Sequence, residues 1–464
     1  MTSIIARNEE IGGLYVYGSG EMDQLSPIKE DEKNEDVFVT KTPFKIPLHF
    51  ISPQEKIKLV NCGQMFTMIL STEGNVYTFG CADNGGIGHE DSVPAKRVNI
   101  NFKPIGISGG DCHGLAYNEN NLAFWGQFRN SSGGMGEPCL EPKYYNSNNI
   151  HNEHFKKVIS GTNHVLILTK EKNIFSLGNK EYGQRGINPN TIIDHLAINK
   201  IFEFNIDDIF TGDDHSFLIK KENNIQVLKS WGLNSKGQLG IGSSSLDGDA
   251  YISIFTPTRV RLPDGLKVKK VCGGSGNSIC LTEDNRVFIW GANDDNILGL
   301  ETDDPVINSP REIIFFNRAS NPDNEINEIV AAYQSFYARN TSNNKVYSWG
   351  TGDNYILGNK KERTEKKPFL INSDFFKNLK VNQLDMGCNH VAVLLSKDDR
   401  EYNIVNVNKT ITQSFVVSAK KRKTDDIPNE NTSINKIQNG IREEYIILNA
   451  KDRPKVKIGF KTKK

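Results

Sequence analysis

An apolar or aromatic residue, a glycine, a short polar stretch and a second glycine recur seven times along this chain. The copies are YVYGSGEMDQLS at 15–26, VYTFGCADNGGIG at 76–88, LAFWGQFRNSSGGMG at 122–136 and IFSLGNKEYGQRG at 174–186. LKSWGLNSKGQLG at 228–240, VFIWGANDDNILG at 287–299 and VYSWGTGDNYILG at 346–358 complete the set. The leading glycines Gly18, Gly80, Gly126, Gly178, Gly232, Gly291 and Gly350 are 62, 46, 52, 54, 59 and 59 residues apart. A unit of about 55 residues built from short strands and glycine turns is too long for one coil of a solenoid, and it matches a four-stranded propeller blade. The fold expected is all-β, a seven-bladed β-propeller.

A second motif interleaves with the first. It reads VNCGQMFTMIL at 60–70, ISGGDCHGLAY at 107–117, ISGTNHVLIL at 159–168, FTGDDHSFLI at 210–219, VCGGSGNSICL at 271–281, VAAYQSFYAR at 330–339 and DMGCNHVAVL at 385–394. A small residue, a glycine and then, in most copies, a histidine lead into alternating apolar residues, the pattern of a turn entering a buried strand. The glycine supplies either a positive φ or a close approach that a Cβ would block. The first glycine-aromatic strand (14–18) has no partner before it, and the last histidine-type strand (385–394) has none after it. Paired, the N- and C-terminal strands close the ring as its seventh blade and leave no open sheet edge.

Charge divides the chain. Residues 396–464 carry 16 Lys/Arg and 9 Asp/Glu, net +7, against net −7 on residues 1–395. The expected organisation is therefore a propeller over 1–395 and a basic C-terminal tail over 396–464, partly disordered, with partners of opposite character. Lys420, Lys421, Arg422 and Lys423 form a short basic run that reads as either an import signal or a solvated segment. The tail segments REYNIVNVN and EEYIILN read either as extra strands or as linker. Seven cysteines without a CxxC pair point to reduced thiols, and the chain has no apolar run long enough to span a membrane and no signal peptide. An intracellular monomer without membrane contact is the expectation.

No phosphate-binding GxxxxGK[ST] loop occurs, and GGDCHG at 109–114 precedes a strand rather than a helix. HExxH and HxxxE spacings are absent, so the reading assigns no catalytic residue, no cofactor and no metal. His113, His164, His215 and His390 occupy one repeat position, which favours a structural role with each imidazole bonding backbone near the central channel. Trp125, Trp231, Trp290 and Trp349 each precede a repeat glycine and read as blade-packing anchors. Asp111, Asp213 and Asp214 precede histidines, giving one rim an acidic character suited to protein docking. One loop breaks the period. Five copies place a glycine eight residues after the first, but the third copy has either Gly134 or, ten residues on, Gly136. The extra residues fall within 128–134, where two adjacent glycines make a projecting hairpin turn.

Over about residues 12–395 the repeats resemble the regulator of chromosome condensation family, exchange factors for the nuclear small GTPase Ran. GSGEMDQL, VYTFGCADNGGIG and above all GGDCHGLAY…LAFWGQFRN carry the resemblance. It implies a guanine nucleotide exchange factor without covalent chemistry that supports nucleocytoplasmic transport and chromatin and spindle organisation in the nucleus. It also implies that Arg129, Asn130, Ser131, Ser132, Gly133, Gly134, Met135 and Gly136 form a wedge reaching the GTPase. Asp111, Asn163 and His390, with Asp213 and Asp214 on the acidic rim, are implied as the GTPase-binding face. The chain departs from the family where Asn163 replaces an acid, Asn277 a histidine and Phe66 a histidine. It also lacks the family's basic N-terminal tail, so the C-terminal tail is the candidate contact for chromatin (histones or DNA) and an import receptor. The rival readings are a scaffold or substrate-binding propeller of the ubiquitin-ligase-associated kind, a light sensor with clustered tryptophans, and a chromatin-binding protein.

Overall fold

A computed structural model describes residues 12–25, 39–90, 95–188, 190–242, 253–317, 325–397, 436–438 and 441–443. Strand pairing follows the two interleaved motifs. In each blade the histidine-type strand lies antiparallel to the glycine-aromatic strand, with His113 opposite Gly126, His164 opposite Gly178 and His215 opposite Gly232. In the blade that holds His164 and Gly178 both strands are buried at every position, because each face packs on a neighbouring blade. Seven four-stranded sheets result. Six are local in sequence and are numbered here in chain order: blade 1 over 57–98, blade 2 over 106–146, blade 3 over 155–201, blade 4 over 206–259, blade 5 over 268–312 and blade 6 over 328–370. Their first strands, such as Ile57–Cys62, Gly106–Gly109 and Phe155–Ser160, pack side by side around the central axis.

Blade 7 joins the ends of the ring, as the repeat order requires. Gly13–Ser19 pairs with His390–Ser396 from Gly13 opposite Leu395 to Gly18 opposite His390. Lys380–Met386 lies inside this pair and Val39–Lys45 outside it. That outer strand comes from a stretch without the repeat signature. Tyr17 seals the seam to blade 6, donating its hydroxyl to Tyr337 at 2.7 Å while Tyr337 donates to the Ile356 carbonyl.

The leading glycines need their lack of a side chain. Gly126 has φ +86°, and a Cβ there would overlap the Cys112 carbonyl oxygen in the preceding turn. The glycines ahead of the histidines are the close-approach case: a Cβ on Gly212 would meet the His215 ring, and its φ is not positive. The tryptophans anchor blades. Trp125, Trp231 and Trp290 are buried, and each Nε1–H donates to a carbonyl of the preceding blade, Gly86 at 3.0 Å, Gln184 at 2.9 Å and Gln238 at 2.8 Å.

The chain divides into two units, 1–408 and 409–464. In the second, Lys436–Gln438 pairs antiparallel with Ile441–Glu443. Lys420–Lys423, REYNIVNVN and all but the first residue of EEYIILN lie outside the described residues. All seven cysteines are free thiols, and among the described residues no helix is long and apolar enough to cross a membrane.

Candidate functional site

Because each histidine-type strand starts where the glycine-aromatic strand ends, two connections of every blade emerge at one end of the ring. These are the turn before the histidine and the loop after the glycine. Asp111, Asn163, Asp213 and Asp214 occupy such turns, and Arg129–Gly136 occupies such a loop, so all lie on the same face. Backbone bonds tie the turns into a rim around the channel mouth. Gln64 N–H donates to Gly110 O at 2.9 Å, Asp111 to Thr162 at 2.9 Å, Thr162 to Asp213 at 3.0 Å and Asp213 to Gly274 at 3.2 Å. Ser275 to Tyr333 at 2.8 Å and Cys388 to Gln64 at 3.0 Å continue the series. A face built this way presents its side chains on rigid backbone.

The off-period loop of blade 2 is a hairpin. Arg129–Asn130 pairs with Gly133–Gly134, Arg129 opposite Gly134 and Asn130 opposite Gly133. The tip is Ser131–Ser132, closed by the Asn130 side chain accepting from Ser132 N–H at 2.9 Å. The glycine pair expected at the turn is instead the returning strand, where Gly133 takes φ +115°. Gly136, at φ +77°, carries the positive φ shared by Gly88, Gly186 and Gly240, so it and not Gly134 is the repeat equivalent. Phe128 roots the hairpin: it is buried, its ring centroid 4.6 Å from that of His113, and its carbonyl accepts from Met135 N–H at 2.8 Å.

Arg129 meets both neighbours that were grouped with it. Its guanidinium lies 3.3 Å from the Asp111 carboxylate, which holds the Arg129 pKa above its usual value. Its backbone N–H donates to Asn163 Oδ1 at 2.8 Å. Two further residues of blade 3 join them: Asn179 donates to the Arg129 carbonyl at 3.0 Å, and the Glu181 carboxylate accepts from Ser131 N–H at 2.9 Å and from Ser131 Oγ. Nothing in the repeat pattern singles out Glu181, because Asp83, Asp294 and Asp353 occupy the same offset in other repeats.

The rim is acidic and partly desolvated. Gln64 reaches across the mouth from blade 1, donating to Thr162 Oγ1 at 3.1 Å and Asp213 Oδ1 at 3.2 Å. Burial, then the neighbouring Asp214 charge, pushes the Asp213 pKa up to about 7. Burial, then Glu181 and Asp111, pushes Asp214 up to about 6. The face therefore gains negative charge as pH rises through 6 to 7.

His390 is not on that face. It is fully buried at the start of its strand, bonded through Nε2 to Thr67 Oγ1 at 3.1 Å. The other three repeat histidines do the same across blade seams: His113 to Ser160 at 3.1 Å, His164 to Ser216 at 2.8 Å and His215 to Ser278 at 2.8 Å. Ser216 and Ser278 donate onward to the Gln184 and Gln238 carbonyls, so His164 and His215 carry their proton on Nε2. The expected backbone bonds are thus hydroxyl bonds, available because three of the four acceptors sit one position past the histidine site of the next blade. Burial lowers these histidines to about 3, or about 4 for His390, and keeps them neutral. Among the described residues no group of His, Cys, Asp and Glu side chains is arranged to hold a metal ion.

The chain matches the model of the RCC1-like domain over residues 13–393. It is 26% identical to the human protein named regulator of chromosome condensation, covering 85% of this chain and 93% of that one. It is 24% identical to the guanine nucleotide exchange factor SRM1 of Saccharomyces cerevisiae, covering 74% and 79%. Among solved structures, Prp20p of Saccharomyces cerevisiae, described with its binding properties to Gsp1p and histones, superposes with a TM-score of 0.71 at 22% identity, covering 85% of this chain and 93% of that one. That likeness is one of fold.

Proposed function

The chain belongs to the RCC1-like domain family, and we propose that it acts there as a guanine nucleotide exchange factor for a Ran-type small GTPase in the nucleus. The observation that carries this reading is the blade 2 hairpin, docked on Asp111, Asn163, Asn179 and Glu181 beside an acidic channel mouth. A propeller serving only as a scaffold has no need of such a projection. The names of two relatives, one an exchange factor and one a regulator of chromosome condensation, support the same reading.

The mechanism is competition between two binding partners of the GTPase. A small GTPase that holds its nucleotide with nanomolar affinity does so with about 12 kcal/mol. The propeller makes no covalent bond. It binds the nucleotide-free GTPase more tightly than the loaded form, and linkage makes the weakening of nucleotide reciprocal. Each ~1.4 kcal/mol of preference weakens nucleotide about tenfold. The rigid rim supplies area, the acidic groups Asp111, Asp213 and Asp214 meet basic side chains of the GTPase, and the Ser131–Ser132 tip displaces the backbone that holds phosphate and Mg²⁺. GTP then enters because it is abundant. The basic tail, net +7 over 396–464, serves as the tether to chromatin or to an import receptor.

Replacing Arg129–Ser132 with a minimal glycine turn tests the reading. These residues are exposed and add no core packing, so the thermal midpoint is expected to move little while fluorescent-nucleotide release from the GTPase falls about a hundredfold, ~3 kcal/mol. Unchanged release would return the chain to the scaffold reading.

A further inference from the structure

The hairpin has only two residue pairs, too short a ribbon to fix its own direction. Blade 2 fixes its root through Phe128 and through Gln127, whose side chain donates to the Gly136 carbonyl. Blade 3 fixes the rest, and it does so by side chains that imitate a neighbouring strand. Asn163 Oδ1 takes the Arg129 N–H, and Asn179 Nδ2 gives to the Arg129 carbonyl, as a peptide unit on an adjacent strand would. Asn179 is itself buried, its N–H bound to the Asn163 carbonyl at 2.7 Å. Its Oδ1 accepts from Glu181 N–H at 2.8 Å, which sets where the Glu181 carboxylate stands. The carboxylate then takes both donors of Ser131, one on each oxygen.

We propose that Glu181 is the positioning residue of the exchange hairpin: held in place by Asn179, its carboxylate clamps Ser131 and so fixes the angle at which the Ser131–Ser132 tip meets the GTPase. This rests on the exchange reading above. Two bonds to one carboxylate constrain direction as well as distance, whereas the Arg129–Asp111 pair is solvent-exposed on the arginine side and tolerates movement. Glu181 also adds to the electrostatic pressure on Asp214, so the clamp and the acidic rim are continuous. Its role is distinct from theirs: the rim offers charge to a partner, and Glu181 spends its acceptors on the hairpin.

Glu181→Ala and Glu181→Gln in the full chain separate these roles. Glutamine keeps an oxygen for Ser131 N–H and gains an amide that donates to Ser131 Oγ, so it preserves the clamp without the charge. In the absence of GTPase, Glu181→Ala is expected to raise amide hydrogen exchange across 129–134 about tenfold, the equivalent of ~1.4 kcal/mol of lost hydrogen bonding, with Glu181→Gln close to the native chain. With GTPase, Glu181→Ala lowers the maximal release rate about tenfold and leaves the half-saturating GTPase concentration nearly unchanged, and Glu181→Gln restores the rate. Hairpin protection unchanged in Glu181→Ala overturns the clamp. Glutamine as damaging as alanine overturns it too, since the carboxylate then acts by charge on the partner. A native chain that releases no nucleotide defeats the exchange reading itself, an outcome separate from a native chain that is active while Glu181→Ala matches it, which defeats the positioning role alone.

Discussion

Truncating the same repeat position is expected to be costly in one blade and harmless in another. His164→Ala removes an imidazole buried between blades 3 and 4 together with its 2.8 Å bond to Ser216. Ser216 keeps its own proton on the Gln184 carbonyl, so the polar loss is one buried bond, about 1 kcal/mol. The vacated ring volume adds about 3 kcal/mol, the low end for aromatic truncation. The sum is a destabilisation of about 4 kcal/mol. Asn277 holds the equivalent position in blade 5 and is equally buried, but neither of its amide atoms has a hydrogen-bond partner among the described residues. The next blade offers Phe336 where blade 4 offers Ser216. Removing that unpaired amide recovers about 1–3 kcal/mol, against a cavity cost of about 1 kcal/mol for three atoms. Asn277→Ala is therefore expected to be neutral or to stabilise by up to about 2 kcal/mol. Urea titrations followed by tryptophan fluorescence measure both, with unchanged slopes needed for the midpoints to report stability. An Asn277→Ala loss as large as that of His164→Ala would mean that Asn277 is bonded across the seam as His164 is.

Deleting residues 1–20 removes Gly13–Ser19 from blade 7, bares the apolar edge of His390–Ser396 and breaks the Tyr17–Tyr337 bond; the shortened chain, starting at Glu21, is expected to melt well below the full chain and to aggregate, and an equal melting temperature would mean that the terminal strands do not close the ring. For Asp213, a folded pKa near 7 lies above the usual value of 3.8, so its favourable contribution is complete below about 4 and is lost as pH rises through 7. Asp213→Asn keeps an acceptor for Gln64 and is expected to be more stable than the native chain at pH 8 by about 2 kcal/mol, roughly half the full conversion of the shift because the mouth is open to water, with little difference near pH 4. Thermal midpoints across that range check it.

The ring and its closure were legible because the two motifs recur in a fixed alternation that leaves one unpaired strand at each end. Val39–Lys45 was not, since its segment carries none of the repeat pattern and gains strand geometry only from the edge of Gly13–Ser19. The hairpin showed as a two-residue offset, but not its tip: a glycine pair reads as a turn, whereas the Asn130 side chain closes the turn one step earlier and Gly133 uses its freedom in the return strand. Asp111 and Asn163 came through family resemblance, and the structure sets both against Arg129. His390 came by the same route, yet its burial follows from its place in the series of seam histidines. Glu181 and Asn179 escaped notice because their contacts are to a hairpin 50 residues away, which no local periodicity records.

If the protein is an exchange factor, its acidic, hairpin-bearing face prefers a GTPase that has lost its nucleotide. Equilibrium affinities of the full chain for one Ran-type GTPase, nucleotide-free and GDP-loaded with Mg²⁺, measure that preference directly. Binding is expected to be at least a thousandfold tighter to the nucleotide-free form, ~4 kcal/mol, with the preference lost when Arg129–Ser132 is shortened. Equal affinity for the two forms, however tight, would rule out exchange by this face.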